Sequence, residues 1–276
     1  MNYSLFATDI DGTLLNSQKE ISKANLEAIQ DTFAAGKEFV LCSGRCLDEM
    51  VDFFSLLPQL RYVLTCSGAI IYDRKEEAFL YRKQLPPVIT KRVFDYVKEH
   101  PEILPQAIVD NHSVISRDMM ESLEEIKMDQ YRELFYHTAH IVKDVCAYME
   151  ARDWKLEKIC LYHRLDEGRT RTREVMKDWP VALAYSEERS LEVSPQGLDK
   201  GAALDILCQK LGIGLDQVIF IGDGYNDERA MECVGFPIAV GNAPEDLKKK
   251  CRAVVADCDH DGVAKALRSY YLPSAM

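Results

Sequence analysis

The sequence has 276 residues, of which 47% are hydrophobic and 29% are charged, a balance that is typical of a folded globular protein rather than a disordered one. This length suits one large domain or two modest domains. The chain has 34 lysines and arginines and 45 aspartates and glutamates, which gives a formal net charge of −11. Because such a surface repels phosphate backbones and anionic lipid, we expect neither nucleic acid nor a membrane as a partner.

The N-terminal segment and the cysteines bear on where the protein resides. The start, MNYSLFATDID, has no basic residue before its apolar residues and reaches an acid at Asp9, so we expect no signal peptide. No apolar run reaches the length of about 18 residues that a transmembrane helix requires. The nine cysteines include no C-x-x-C pair and suit a reducing compartment. Together these features predict a cytoplasmic protein.

Short apolar runs alternate with a helical stretch in the first third of the chain. Residues 4–8, 38–42 and 62–66 are apolar on both faces and are predicted to be buried strands. The helix between the first two strands is expected to begin after Ser22, as its N-cap, and to end at Gly36. Doubly apolar strands that are separated by helices indicate a parallel sheet covered on both sides.

The last third of the chain repeats this alternation. Asp199 is expected to cap a helix that ends at Gly212. The elements predicted after it are a strand at 217–223, a helix at 226–234, strands at 237–241 and 253–257, and a helix at 262–271. The two ends of the chain therefore predict parts of one α/β sheet domain.

The middle of the chain, from about residue 82 to 189, is richer in charge, histidine and tyrosine. Its predicted elements are helices near 88–99, 119–134 and 139–152 and a strand at 157–163. This composition predicts a separate module inserted between the two halves of the sheet domain. The predicted division is a discontinuous core of residues 1–82 and 190–276, an insert of residues 83–189, and hinges near 80–84 and 189–195.

Polar side chains follow three of the predicted strands. Asp9 and Asp11 follow the first strand, Ser43 follows the second, and Asp223 and Asp227 follow the strand at 217–222. Because ligands bind beyond the carboxyl ends of parallel strands, we expect these residues to share one cleft. Two carboxylates about 4 Å apart repel by roughly 4 kcal/mol at an effective dielectric near 20. Four of them require a cation, and oxygen ligands favour Mg2+ together with a substrate phosphate.

Lys200 lies in the first turn of the helix that Asp199 caps. A lysine at this position opposes the helix dipole, which indicates a task such as holding a phosphate oxygen or pairing with Asp9. Ser43 and Gly44 offer a hydroxyl and a backbone N–H to a further phosphate oxygen.

Five motifs give the chain a resemblance to a known family. In order they are DIDGTLL (9–15), CSGR (42–45), GLDKG (197–201), GDGYND (222–227) and AVGNAPEDLK (239–248). Their order and spacing resemble the haloacid dehalogenase superfamily, and within it the Cof-like phosphatases with a subclass IIB cap. The resemblance implies an α/β fold, with a Rossmann-like parallel sheet as the core and an inserted α/β cap that closes over the strand ends and supplies most substrate contacts.

The resemblance also implies a two-step phosphoryl transfer. Asp9 would be the nucleophile and would form an aspartyl-phosphate, while Asp11 would protonate the leaving oxygen and later take a proton from the attacking water. Ser43 and Lys200 would orient the phosphate oxygens and neutralise their charge. These four residues are the implied catalytic residues.

The same resemblance implies a metal site and a phosphate site. The implied Mg2+ ligands are Asp9, the backbone carbonyl of Asp11, Asp223 and, directly or through water, Asp227. The implied phosphate-binding and substrate-binding residues are Gly12, Ser43, Gly44, Arg45, Lys200 and Asn226. The leading hypothesis is a Mg2+-dependent phosphatase that acts on a small phosphorylated metabolite, such as a sugar phosphate or a phosphorylated cofactor.

Two positions depart from the family pattern, and two other functions stay open. Relatives commonly have Asn-Gly where this chain has Ser67-Gly68, and a smaller or polar residue where it has Tyr225. Both departures concern the identity of the substrate, which the sequence does not name. A phosphomutase of the same fold and a non-catalytic phosphometabolite sensor are the alternatives, although Asp11 argues against a sensor because it would shorten the life of a phospho-aspartate. The oligomeric state is undetermined.

Overall fold

The computed structural model describes residues 3–272. This part of the chain forms fourteen strands, which are β1 (Leu5–Thr8), β2 (Glu38–Cys42), β3 (Tyr62–Thr65), β4 (Ile70–Asp73), β5 (Ala78–Arg82), β6 (Ile103–Val109), β7 (His112–Ser116), β8 (His140–Val142), β9 (Lys158–His163), β10 (Val181–Ala184), β11 (Ser190–Pro195), β12 (Val218–Gly222), β13 (Phe236–Ala239) and β14 (Ala253–Val254).

The same residues form eleven α-helices, which are α1 (Lys23–Ala34), α2 (Val51–Leu56), α3 (Pro87–Glu99), α4 (Arg117–Glu121), α5 (Arg132–Thr138), α6 (Val145–Glu150), α7 (Gly168–Met176), α8 (Lys200–Leu211), α9 (Glu228–Cys233), α10 (Glu245–Lys248) and α11 (Gly262–Ala266). A π-helical turn, Leu267–Tyr271, continues α11. None of the helices within residues 3–272 combines the length and the hydropathy that crossing a bilayer would require.

The chain divides into two compact units. The first unit contains residues 3–44, 53–81 and 199–272 of the described chain, and the second contains residues 45–52 and 82–198. The sequence placed residues 45–52 and 190–198 in the core, whereas the structure groups both segments with the second unit.

The first unit is built on an eight-stranded sheet in the order β14-β13-β12-β1-β2-β3-β4-β5. The strands from β14 to β3 pair in parallel, and β4 is antiparallel to β3. One face of the sheet packs on α8 through Leu204 and Leu207, and the other face stacks Phe6 on Phe39 with ring centroids 6.0 Å apart. Because both faces of this sheet are covered, its strands have no face open to solvent, which explains their continuous apolar runs. The predicted α/β fold class is confirmed.

Polar caps set the helix boundaries of the first unit as the sequence predicted. The hydroxyl of Ser22 accepts the N–H of Asn25 at 3.2 Å and so begins α1. The carboxylate of Asp199 accepts the N–H of Ala202 at 2.8 Å, which fixes Lys200 as the first residue of α8. Gly212 ends that helix with a φ of +70°.

The second unit is built on a six-stranded sheet in the order β10-β11-β9-β6-β7-β8, in which only the β7–β8 pair is parallel. Helices α3, α6 and α7 pack on one face, and the segment of α4 and α5 packs on the other. This sheet is mostly antiparallel, unlike the sheet of the first unit.

In this unit, the predictions of two helices and of one hinge are wrong. The predicted helix at 119–134 is broken because Lys127 has a φ of +56°, so that α4 ends before it and α5 begins after it. Residues at the start of the predicted helix at 139–152 instead pair with β7 as β8, and Asp144 then caps the shorter α6. The predicted hinge near 189–195 is mostly β11, which pairs with β9 and β10.

Candidate active site

Three strands that are neighbours in the first sheet deliver the candidate residues to one edge. In the order β12-β1-β2, Asp223 follows β12, Asp9 follows β1 and Ser43 follows β2. The N–H of Asp9 donates to the carbonyl of Ile221 at 2.9 Å, which extends the β1–β12 ladder to Asp9. Backbone pairing of β12, β1 and β2 therefore places the carboxyl ends of the three strands side by side, as the sequence predicted.

Lys200 lies between two carboxylates. Its Nζ donates to Oδ1 of Asp9 and to Oδ1 of Asp227, both at 2.5 Å. The lysine side chain is 1% exposed, and both acids are buried. A buried ammonium with two buried carboxylates is a strong pair of charge-assisted hydrogen bonds. The pairing of Lys200 with Asp9 that the sequence suggested is present.

Asp227 organises the loop that follows β12. While its Oδ1 accepts from Lys200, its Oδ2 accepts the backbone N–H groups of Asp223 and Gly224, each at 3.0 Å. Both oxygens therefore already accept hydrogen bonds from the protein. This arrangement suits a residue that supports a metal shell by holding its neighbours in place.

Asp223 is held by the turn that follows β1. Oγ1 of Thr13 donates to Oδ1 of Asp223 at 2.9 Å. Gly12 has a φ of +80°, and a Cβ at this position would lie 2.5 Å from Oδ2 of Asp223. Only glycine accommodates both the backbone conformation and this close approach. The contacts of Gly12 and Thr13 with Asp223 thereby explain why Gly-Thr follows the two acids in the motif DIDGTLL.

Asn242 is a residue of this region to which the sequence analysis gave no role. Its Nδ2 donates to the carbonyl of Gly12 at 2.8 Å, and its Oδ1 accepts the N–H of Cys258 at 3.0 Å. It therefore connects the turn after β1 to the segment that precedes α11. Asn242 belongs to the fifth motif, which could have pointed to it, but the motif alone does not indicate which of its residues reaches the site.

Three of the acids form a group that fits a divalent cation. Single carboxylate oxygens of Asp9, Asp223 and Asp227 lie within 4.8 Å of one another. Hard oxygen donors of this kind suit Mg2+. Because three carboxylates face one ammonium, the cluster carries an excess of negative charge when all its members are ionised, and a divalent cation would balance that excess.

Burial sets the titration of this cluster. It is the largest cause of the raised pKa of Asp9, to which Asp227 and Asp223 add while Lys200 opposes them. Burial followed by the charge of Asp227 raises the pKa of Asp223 to about 7. Burial alone would lower the pKa of Lys200, but Asp227 and Asp9 outweigh it and raise that pKa above its ordinary value. The lysine therefore stays protonated, and Asp9 and Asp223 release a proton less readily than they would in water.

Asp11 lies outside this three-carboxylate group. Its side chain is part-exposed, and its Oδ1 lies 3.3 Å from Nζ of Lys19. A carboxyl group that solvent can reach is compatible with the predicted acid–base role. Its predicted part in metal binding concerned the backbone carbonyl and stays a prediction.

The remaining predicted residues lie in two different units. Ser43 and Gly44 belong to the first unit, as does the half-buried Asn226, whereas Arg45 belongs to the second. Nη1 of Arg45 donates to the carbonyl of Glu49 at 3.4 Å. The roles of these four residues in phosphate or substrate binding stay predictions.

The two departures from the family pattern occupy different surroundings. Ser67 is buried in a short 3-10 turn, Cys66–Gly68, and its N–H donates to the carbonyl of Ser43 at 3.0 Å. Tyr225, by contrast, is 48% exposed, and its hydroxyl donates to Asp246 at 3.3 Å. Ser67 is therefore connected to the backbone of a predicted phosphate-binding residue, and Tyr225 is open to solvent.

Comparison with known proteins identifies the family. A family model described as haloacid dehalogenase-like hydrolase matches residues 6–267. The chain belongs to this family. The Bacillus subtilis phosphatase YwpJ is 26% identical over 291 residues, covering 96% of this chain and 98% of the relative. The Escherichia coli pyridoxal phosphate phosphatase YbhA is 21% identical over 276 residues, covering 99% of this chain and all of the relative.

A solved structure agrees with the fold. The haloacid dehalogenase subclass IIB sugar phosphatase BT4131 superposes with a TM-score of 0.82 at 21% identity, over 97% of this chain and 98% of that chain. The family resemblance that the five motifs indicated is confirmed. The predicted enzyme class is confirmed as well, since the chain is a haloacid dehalogenase-like hydrolase whose curated relatives include phosphatases.

Proposed function

We propose that this chain is a Mg2+-dependent phosphatase that hydrolyses a small phosphorylated metabolite through an aspartyl-phosphate. The observation that carries the proposal is the buried contact of Lys200 with Asp9 and Asp227, beside Asp223. In a buried ion pair that is balanced in charge, one acid faces one base. Three acids around one base match phosphoryl transfer, in which catalysis consists mostly of positioning and charge neutralisation.

In the first step, a carboxylate oxygen of Asp9 attacks the phosphorus atom of the substrate. A bond forms between that oxygen and phosphorus, and the bond between phosphorus and the ester oxygen breaks. Asp11 donates its proton to the departing oxygen, which leaves as an alcohol. Lys200 holds Asp9 in a fixed orientation through the 2.5 Å hydrogen bond to Oδ1, which restricts the directions from which Asp9 can attack.

In the second step, water attacks the phosphorus atom of the aspartyl-phosphate. Asp11, now ionised, takes a proton from the water, and the bond between phosphorus and the Asp9 oxygen breaks. Inorganic phosphate leaves, and Asp9 and Asp11 return to their starting states. The part-exposed position of Asp11 supports this role, because its carboxyl group can exchange protons with solvent.

Asp9 and Asp223 would hold the metal, with the carbonyl of Asp11, and Asp227 would support them by fixing the loop at Asp223 and Gly224. When bound, a divalent cation supplies positive charge to the phosphate oxygens and offsets the repulsion among the carboxylates. Ser43, Gly44 and the other predicted phosphate-binding residues would orient the phosphate.

The proposed substrates are small phosphate monoesters. Among the relatives, one is named for pyridoxal phosphate and one solved structure for sugar phosphates, which supports the class and leaves the individual compound open. A net charge of −11 disfavours large polyanions as substrates, because such substrates would approach against the field of the protein.

The decisive experiment is a screen of phosphorylated metabolites for release of inorganic phosphate, with Mg2+ and with EDTA. We expect turnover that EDTA abolishes, and we expect Asp9→Asn to lower it by roughly 10^4-fold or more. Asp31→Asn, at an exposed position of α1, is the matched control and should keep wild-type turnover. Acid quenching of the reaction should trap a phosphoryl group on the peptide that contains Asp9.

Three outcomes would contradict the proposal. An Asp9→Asn enzyme with wild-type turnover would remove the nucleophile assignment. An isomerised product without free phosphate would favour a phosphomutase. No reaction with any ester, together with specific binding of one of them, would favour a sensor.

A further inference from the structure

We propose that the turn Cys66–Gly68 is a positioning element that joins the two sides of the phosphate site, Ser43 on one side and the start of α8 at Lys200 on the other. The inference rests on the proposed function, because it concerns how that site binds phosphate. In the sequence, this turn is distinguished only by the departure at Ser67, which concerns the identity of the substrate.

The turn contacts Ser43 through the backbone. The N–H of Ser67 donates to the carbonyl of Ser43 at 3.0 Å, and the N–H of Ser43 donates to the carbonyl of Leu64 at 2.8 Å. Both backbone groups of Ser43 are therefore held by β3 and by the turn that follows it. Fixing the backbone of Ser43 also fixes the origin of its side chain.

The turn contacts α8 through Gly68. A Cβ at Gly68 would lie 2.5 Å from the carbonyl oxygen of Asp199 and 3.0 Å from Cβ of Ala203. That same carbonyl accepts the N–H of Ala203 in the first turn of α8, and Asp199 caps the helix. Gly68 is thus in direct contact with the residue that precedes Lys200, and a larger residue would push this helix end away from the turn.

The conformation of the turn is one that local sequence does not favour. Cys66 and Ser67 have φ values of +53° and +54°, and Gly68 follows at +98°. Residues other than glycine seldom occupy this region, and two in succession persist only where the surrounding structure holds them. The contacts with Ser43 and Asp199 supply that hold, so the turn, Ser43 and the start of α8 form one unit of fixed geometry.

The first test compares two glycine-to-alanine variants. Gly68→Ala adds a Cβ against Asp199, whereas Gly212→Ala adds one at the other end of the same helix, where φ is +70° and no atom lies within 4 Å of the new Cβ. Both variants carry backbone strain, but only the first places a new atom against Asp199, the residue that precedes Lys200. We expect kcat/KM of Gly68→Ala to fall roughly 10- to 100-fold, and we expect Gly212→Ala to keep the wild-type value.

The second test uses substitutions at Ser67. Asn tolerates a positive φ and keeps the N–H, so Ser67→Asn should keep kcat/KM within about twofold of wild type. Pro fixes φ near −65° and has no N–H to give Ser43, so Ser67→Pro should lose phosphate affinity. If Ser67→Asn keeps kcat/KM and Ser67→Pro loses phosphate affinity, the backbone of residue 67, rather than its side chain, positions Ser43.

The third test measures the affinity of each variant for inorganic phosphate by calorimetry with Mg2+, well below its melting temperature. A substitution that lowers only the stability of the fold would leave this affinity unchanged. We expect Gly68→Ala to bind phosphate at least about tenfold more weakly than Gly212→Ala. Equal affinity and equal kcat/KM for the two variants would overturn the inference. If wild type binds phosphate but hydrolyses no ester, the proposed function fails while the affinity comparison still decides the inference, and a wild type that binds no phosphate overturns both.

Discussion

Each unit of the molecule buries a lysine against carboxylates, and the two sites differ in charge balance. In the second unit, Nζ of Lys158 lies 2.9 Å from Oε1 of Glu192, and both side chains are almost fully buried. In the first unit, Lys200 lies between Asp9 and Asp227, with Asp223 close by. In the second unit, Lys158 and Glu192 form a pair of one base and one acid, beside the buried Glu49 that faces both Lys158 and Arg45. In the first unit, three acids surround Lys200, which leaves negative charge in excess.

The difference separates a structural pair from a site built for a ligand. A balanced buried pair recovers much of its desolvation cost from its own attraction and requires nothing further. Burial, to which the neighbouring carboxylates add, raises the pKa of Asp9 and of Asp223, and protons or a cation relieve this cost. Burial of a charged pair therefore does not identify function, but an imbalance among buried charges points to it.

Within the comparison of the two units, the largest expected effect comes from removing each lysine in turn. Lys200→Met should lower kcat/KM by about 10^2- to 10^3-fold, because a positioned charge at the reacting phosphate is lost. Lys158→Met should keep kcat but lower the free energy of unfolding by about 3–5 kcal/mol, because the buried carboxylate of Glu192 loses its ion pair with Lys158. Steady-state kinetics and urea denaturation of both variants measure these two losses. Equal losses of kcat/KM in the two variants would contradict the distinction between the two sites.

A double substitution sharpens the same comparison by testing whether the pair in the second unit is replaceable. Lys158→Met combined with Glu192→Leu removes both charges of the ion pair together. We expect the double variant to recover most of the stability that Lys158→Met loses, to within about 1–2 kcal/mol of wild type. A double variant as unstable as the sum of its single variants would show that the pair is not a closed unit.

A smaller effect is expected from pH on magnesium binding. Because the pKa of Asp223 is raised to about 7, the metal must displace a proton below that pH. The apparent affinity for Mg2+ should therefore fall by about tenfold for each pH unit below 7. Calorimetric titration between pH 5.5 and 8 measures this slope, and a flat profile would show that the acids of the cluster are ionised throughout.

The same shift should appear in the stability of the metal-free protein. A carboxyl group whose pKa is higher in the folded than in the unfolded state binds more protons when folded, so its stabilising contribution is present at low pH and is lost as pH rises toward about 7. In EDTA, the unfolding midpoint should fall between pH 5 and 8 for this reason, and added Mg2+ should reverse the fall. Asp223→Asn should flatten the dependence.

The smallest expected effect concerns the hydrogen bond from Thr13 to Asp223. This bond lowers the pKa of Asp223 against the effect of burial. Thr13→Val should therefore move the magnesium profile toward higher pH by less than about one unit. Thr32→Val, which removes the buried hydrogen bond to the carbonyl of Ala28 in α1, is the control and should leave the profile in place.

The second unit demonstrates where sequence reasoning failed. The apolar periodicity of residues 119–134 resembles one long helix, but the positive φ of Lys127 interrupts it. His140 and its neighbours form β8 because β7 offers them a parallel partner. Nothing in the local sequence of either segment indicates these outcomes, since both depend on packing against a sheet whose strands are far away in the chain.

The sequence by itself determined the α/β core, the caps of α1 and α8, and the acids at the strand ends, because apolar periodicity, capping and strand direction are local properties that the residues carry with them. Only the tertiary structure decided that both oxygens of Asp227 are occupied, that Gly12 must admit Asp223, and that a turn of positive φ joins Ser43 to the helix of Lys200. Apart from the local bonds that Oδ2 of Asp227 accepts from its own loop, those features are contacts between segments distant in the chain, and such contacts exist only once the sheet has brought the segments together.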